Sequence, residues 1–290
     1  MVEGRTWGLP VRLFGCLFLA TLYGCTVTVE EGETCDEPIL EKSENISSLY
    51  LNGKDDFVEM GVLEEDDPLQ LAGKPFTLAA WFRQEEDGDP YQRIIDKSDG
   101  PMGQNGWALA ADPGSGMIHF YVHDGSQGAD FASRRGIYKT GQWHFVVAVA
   151  RRQRLEIWLD GELDEGSWYE GGEHALPGTA VTGLRIGNWN HEPGRAWHGW
   201  LDEVAVWNTD LPPELIAALF KARGQAALSS ACSSYDQAES LVGWWRMGSG
   251  ARLLADPTAL QWTVEDFSGS DLEGSLRPPR GPRLEVGEVP

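Results

Sequence analysis

Apolar and polar residues alternate along much of this chain, and the alternation is broken by turn signals at short intervals. From Ser48 to Met60 the pattern reads as strand, turn, strand, with Asn52-Gly53 as the tight-turn dipeptide. Further strands are predicted over Phe76–Arg83, Arg93–Ser98, Trp107–Leu109 and Met117–Val122. In the run Gly141–Val149, residues Trp143, Phe145, Val147 and Val149 fall on one face. In Leu155–Gly161, Leu155, Ile157 and Leu159 point one way, and Glu156, Trp158 and Asp160 the other. Period two recurs from Gly199 to Asn208, with Leu201 and Glu203 on one side and Asp202, Val204 and Val206 on the other. The period then changes. Pro213 suits an early helical position, Glu214 suits the positive end of the helix dipole, Leu215, Leu219 and Phe220 share a face, and Gly224 is placed to end the helix. Two later strands, around Leu241–Gly248 and Asp266–Leu276, are too little chain for a second domain. They are expected to pack on the first and cover an edge. Residues 277–290 are Pro-rich and read as a loose tail.

The ends of the chain and its charge add to this picture. Arg5 and Arg12 flank an apolar run, Leu13–Leu22, too short to span a bilayer, so residues 1–24 read as a targeting segment. Residues 25–46 carry seven acidic side chains, from Glu30 to Glu44, and read as an acidic spacer. The formal charge of the 290 residues is −22, which argues against nucleic acid as a partner, because phosphate contacts need clustered Lys and Arg. It fits a self-repelling soluble surface or a protein that binds cations. Apolar residues make up 41% of the chain, enough for a packed core.

Several segments resemble, in order, those of laminin-G-like or concanavalin A-like jelly rolls. Leu51-Asn52-Gly53-Lys54-Asp55-Asp56-Phe57-Val58 is similar to the family's opening "F-D-G-x-D-D-Y-V". Phe76–Arg83 resembles "F-T-I-S-A-W-V-R", and Arg93–Ser98 resembles the "I-L-S-K" strand. Gly141–Val149 resembles "G-x-W-H-H-V-A-V", Leu155–Gly161 resembles "L-x-L-Y-V-D-G", and Leu184–Asn188 resembles the "I-G" strand. Gly199–Val204 and the helix after it resemble the closing "G-x-I-D-E-V". The resemblance runs from about Leu49 to Leu219. It implies an all-β jelly-roll sandwich of roughly twelve to fourteen strands with one short helix, occupying residues 47–276. Leu22-Tyr23-Gly24-Cys25 in turn resembles a bacterial lipobox, which would make Cys25 the acylated N-terminus of an outer-membrane lipoprotein; an ordinary signal peptide is the alternative. In that oxidising compartment Cys35 and Cys232 are an even pair and are expected to form a disulfide, with two free thiols as the alternative.

Candidate chemistry falls in three groups. Laminarinase-like members of the superfamily carry alternate acids on one strand, and Glu162-Leu163-Asp164-Glu165-Gly166-Ser167 supplies the first two but not the third, which disfavours a glycosidase. Many laminin-G-like domains bind calcium, which makes Asp55, Asp56 and Asp202 candidate ligands; turn chemistry and a sheet-edge hydrogen bond are the competing roles. Trp168 and Tyr169 in one loop, and Trp189, His191 and Trp200 in or beside another, offer aromatic faces suited to a sugar ring. Trp189 and Trp200 are expected to be exposed, whereas Trp81, Trp143, Trp197, Trp207 and Trp244 read as core. The expectation is a non-catalytic, lipid-anchored module of the bacterial envelope that recognises a glycan or glycoprotein through rim loops. The alternative is a structural or adhesive module that binds a partner protein.

Overall fold

The computed structural model of the chain describes residues 43–62, 67–99, 105–126, 128–152, 154–164, 168–171, 176–191, 194–230, 235–253, 262–277 and 283–286. In chain order the strands are β1 (Ser47–Asn52), β2 (Phe57–Val62), β3 (Phe76–Gln84), β4 (Gln92–Asp99), β5 (Asn105–Asp112), β6 (Met117–Asp124), β7 (Gly128–Ala132), β8 (His144–Arg151) and β9 (Arg154–Leu159). There follow β10 (Glu162–Asp164), β11 (Trp168–Gly171), β12 (Gly183–Ile186), β13 (His198–Trp207), β14 (Leu241–Trp245), β15 (Ala251–Leu253), β16 (Trp262–Val264), β17 (Gly274–Arg277) and β18 (Arg283–Val286). Helix α1 (Pro213–Ala222) lies between β13 and β14, and a four-residue helix α2 (Met247–Gly250) follows β14.

The strands build two antiparallel sheets. The first runs β10-β9-β8-β3-β13-β1-β18, with β14 also paired to β13; the second runs β11-β7-β6-β5-β4-β12-β2-β17-β16-β15. Alternation along each strand gives the sandwich two apolar layers. Leu78, Phe82, Val146, Ile157 and Leu201 from the first sheet meet Ile95, Trp107, Leu109 and Phe120 from the second. On the outer face of the first sheet, Trp81, Phe145, Val147, Trp158 and Trp207 are buried under Leu215, Ile216 and Leu219 of α1. The helix turns out through Arg223 at φ 48° and Gly224 at φ 68°. Gly199 sits at φ 137°, and a Cβ there would stand 2.2 Å from the Arg83 carbonyl oxygen, so only glycine lets β13 approach β3 at this point.

The fold agrees with the expected all-β jelly roll and differs in detail. Strands number eighteen among the described residues, because short pairs at the margins carry no long apolar run. Strict alternation fails in β13. A register shift lies between Asp202 and Ala205, and Glu203 adopts φ 46°. This β-bulge puts Val204 and Val206 on the same inner face as Leu201, and turns Glu203 outward. Residues 283–286, predicted to lie in a loose tail, form β18 and pair with β1 from Ser47 to Tyr50. The later strands do cover edges: β17 pairs with β2, and β14 pairs with β13.

Candidate functional site

The outward face of the second sheet carries polar and aromatic side chains around a trough. The register sets Asp96, Ala108, Tyr121 and Asp130 in one row across β4, β5, β6 and β7. The neighbouring rows are Arg93, Ala110 and His119, and Ser98, Gly106 and His123. The outward positions of β5 are thus Gly106, Ala108 and Ala110, and their lack of bulk makes the trough floor. Arg93 and Asp96 are three apart in sequence, a spacing that plain alternation would send to opposite faces. A register shift between Arg93 and Ile95 brings them to the same side, where Arg93 Nε lies 3.0 Å from Asp96 Oδ2.

A loop between β12 and β13 forms one wall. The loop is closed at its base by Trp197 N–H donating to the Gly187 carbonyl at 2.8 Å, and is tied to β4 by Arg93 N–H donating to the Arg195 carbonyl at 2.9 Å. Asn190 Nδ2 donates to the Asp96 carbonyl at 3.0 Å, His191 Nε2 to the Ser98 carbonyl at 2.8 Å, and Arg185 Nη1 to the Trp189 carbonyl at 2.9 Å. Between loop and sheet lies a cavity of about 190 Å³, lined in part by Tyr91, Arg93, Tyr121, His123, Trp189 and Arg195. Tyr91 and Arg195 both hold positive φ, 60° and 98°, and the Arg195 guanidinium lies 5.8 Å from the Tyr91 ring. Strained backbone of this kind persists only where the surroundings over-determine it.

Buried charge dominates the electrostatics here. Arg93 is 4% exposed; its Nε is ion-paired with Asp96, and its Nη1 has no hydrogen-bond partner among the described residues. Burial pushes the Asp96 carboxyl above the usual range, opposed by Arg93. Burial, followed by the nearby Arg93 charge, lowers Arg195. Burial holds His119 down at about 4, so its imidazole is neutral at neutral pH, and its Nε2 also has no partner. His123 Nε2 and Asp130 Oδ1 pair at 2.9 Å.

The expected site residues divide. Trp189 and His191 belong to the trough wall, but Trp189 is only 7% exposed, against the expectation of an open ring. The reason is the Arg195 guanidinium, 4.3 Å from the Trp189 ring centre. Trp200 is likewise buried, at 5% exposure, and lies on the first sheet, away from the trough. The Arg83 guanidinium covers its ring at 3.8 Å, and Tyr50 meets it edge-on at 4.7 Å. Trp168 and Tyr169 fall on β11, whose backbone pairs with β7; their side chains lie outside the described residues, as do Cys25, Cys35 and Cys232.

The proposed calcium ligands do not form one site. Asp55 and Asp56 engage the Asn52 turn, with Asn52 Nδ2 donating to Asp55 Oδ1 at 2.7 Å and Asn52 N–H to Asp56 Oδ2 at 3.2 Å. Asn52 pairs with His198, and Asp202 lies four residues further along β13, about 13 Å at the usual strand rise. Asp202 is fully buried and accepts from Asn45 Nδ2 at 2.7 Å and Glu203 N–H at 2.9 Å. Among the described residues no group of three or more His, Cys, Asp or Glu could hold a metal. Of the disfavoured hydrolase strand, Asp164 is buried against Arg134 in β10, beside an open cavity of about 570 Å³, and Glu162 is exposed.

The chain belongs to the Concanavalin A-like lectin/glucanases superfamily: a laminin G family model of that description matches residues 52–217. Among solved structures, a Bacteroides ovatus protein provisionally described as carbohydrate-binding superposes with a TM-score of 0.56 at 14% identity. The match covers 87% of this chain and 62% of that one. The CBM40 module of a Ruminococcus gnavus IT-sialidase gives a TM-score of 0.45 at 12% identity, covering 60% of this chain and 96% of the module. The binding domain of botulinum neurotoxin serotype D also gives 0.45, at 13% identity, covering 63% and 44%. At such identities the likeness concerns the fold alone. No curated protein matches the chain in sequence.

Proposed function

We propose that the protein is a non-catalytic glycan-binding module whose ligand lies in the trough over β5. The observation that supports this reading most is the convergence of polar groups without partners on a concave, aromatic-walled space. Arg93 Nη1 is buried there without a partner among the described residues, and Tyr91, Tyr121 and Trp189 line the same cavity. The nearby carboxylates are already engaged, Asp96 with Arg93 and Ser98, and Asp130 with His123, which speaks for binding rather than hydrolysis. A glycan array on the full chain tests the reading, with Tyr91→Ala as the control. Tyr91 lines the cavity yet is 38% exposed, so its loss should weaken binding and leave the melting temperature nearly unchanged. An array without any bound glycan, or binding untouched by Tyr91→Ala, would overturn it.

The proposal extends to attachment: acylation of Cys25 would hold the module at the bacterial outer membrane, with residues 25–46 as spacer. Incorporation of labelled fatty acid into wild type and not into Cys25→Ala is the expected result. Equal incorporation in both would refute the anchor.

A further inference from the structure

The two arginines of the trough say more than that a glycan binds. In a chain with 45 acidic and 23 basic residues, Arg93 and Arg195 line the same small cavity. Arg93 has one acidic counterpart, Asp96, which is itself fully buried. Arg195 forms no ion pair among the described residues. Asp130, the remaining carboxylate on the lining, is paired with His123. The cavity therefore sets two arginines against two aspartates, and each aspartate already has a closer partner, Asp96 with Arg93 and Asp130 with His123, which leaves Arg195 without a carboxylate of its own in a partly desolvated place.

The aromatic side chains explain how the two cations are held. The Arg93 guanidinium lies 4.5 Å from the Tyr121 ring centre, and the Arg195 guanidinium lies 4.3 Å from that of Trp189. Tyr121 and Trp189 thus spend ring faces on guanidinium groups rather than offering them to a sugar. A stacked guanidinium keeps its in-plane N–H groups available, and these form a rigid fork that matches a carboxylate. The arginines are therefore oriented in advance; Arg93 Nε faces Asp96 at 3.0 Å, while its Nη1 has no hydrogen-bond partner among the described residues. The cavity volume of about 190 Å³ lies below the roughly 300 Å³ at which drug-sized pockets begin, so the cavity itself has room for a single ring.

We infer that the trough selects a carboxylate-bearing sugar, a hexuronic acid residue, whose carboxylate is received by Arg93 and Arg195 while Ser98, His123 and Asp130 face its hydroxyl groups. This deepens the glycan-binding reading and rests on it. The test is saturation-transfer NMR on the full chain with D-galacturonate, its methyl ester, D-galactose and acetate. The ester keeps the ring and removes the charge. The expected result is binding of galacturonate at least tenfold tighter than of the ester, galactose or acetate, weakened by salt. Arg195→Gln should lose at least tenfold for galacturonate with an unchanged melting temperature, and Arg195→Lys should recover only part, because a point charge cannot reproduce the fork. Ester or galactose binding as well as galacturonate would overturn the inference and leave the glycan-binding reading standing. Acetate binding equally well would mark a general carboxylate site and also overturn it. No binding of any sugar would overturn both.

Discussion

Replacing Asp202 by Asn should make the protein more stable at neutral pH, although the site is fully buried. Asp202 and Glu203 lie side by side at the β13 bulge, and one cation serves both. Arg246 Nε donates to Glu203 Oε1 at 2.8 Å, and Trp244 Nε1 donates to Glu203 Oε2 at 2.6 Å. Asp202 receives only neutral donors, Asn45 Nδ2 and the Glu203 amide. Burial pushes both carboxyls up, and the neighbouring Glu203 raises Asp202 further. Glu203 reaches about 7 despite Arg246, and Asp202 stands well above its ordinary value. The folded protein thus takes up protons that the unfolded chain has released. For such a raised acid, the stabilising contribution is complete below the unfolded value and is lost as pH rises toward the folded one. One proton taken up on folding costs about 1.4 kcal/mol per pH unit, or about 3 kcal/mol between about pH 5 and 7. Asn at 202 still accepts from the Glu203 amide, its NH₂ can meet the Asn45 amide oxygen once that amide turns, and it needs no proton. Urea denaturation of both proteins across this range is the measurement. The variant should gain on wild type by about 1.4 kcal/mol per pH unit, and the two should converge toward acid pH. Parallel curves would show that Asp202 is ionised in the fold and would refute the reasoning.

Other outcomes follow from the packing. Trp189→Ala and Trp200→Ala should each cost about 3 kcal/mol in urea denaturation, since both rings are buried under arginine; costs near zero would mean the rings are open. Gly199→Ala forces a Cβ against the Arg83 carbonyl and a residue into φ 137°, and should destabilise by about 2 kcal/mol or more; an unchanged melting temperature would contradict the close approach of β13 to β3. Deleting residues 278–290 removes β18 and leaves the outer edge of β1 unpaired, so light scattering should show concentration-dependent association absent from the full chain.

Strands with strong alternation were the readable part of this protein. The faces assigned to Trp143–Val149 and Leu155–Asp160 are those seen, with Phe145, Val147 and Val149 under α1 and Leu155, Ile157 and Leu159 between the sheets. The trough is not readable, because one bulge and a long-range juxtaposition create it. Arg93 and Asp96 share a face only through the bulge at 93–95, and nothing near Arg93 in sequence foretells Arg195. A signal did exist: Arg and Asp in the otherwise apolar Arg93–Asp96 run, and small residues alternating along β5, mark a sheet face that is neither core nor ordinary surface. A loop tryptophan such as Trp189 reads as exposed until the cation that covers it is known. Alternation places Glu203 on the face of Leu201, but the residue adopts φ 46° and turns outward.

One edge of β13 is shared end to end by two strands that are far apart in the chain. Leu49 in β1 meets Leu201, and Trp245 in β14 meets Val204, on either side of the bulge. During synthesis β13 emerges with its β1 and β3 partners already made but with half of that edge bare until residue 245 has followed. β1 in turn keeps an open side until residues 283–286 arrive. Such late, distant pairings carry a large loop-closure cost, and they slow folding while exposing strand edges. The sandwich is therefore completed only after residues 283–286 have been made, and its most distant closure is that of β1 by β18.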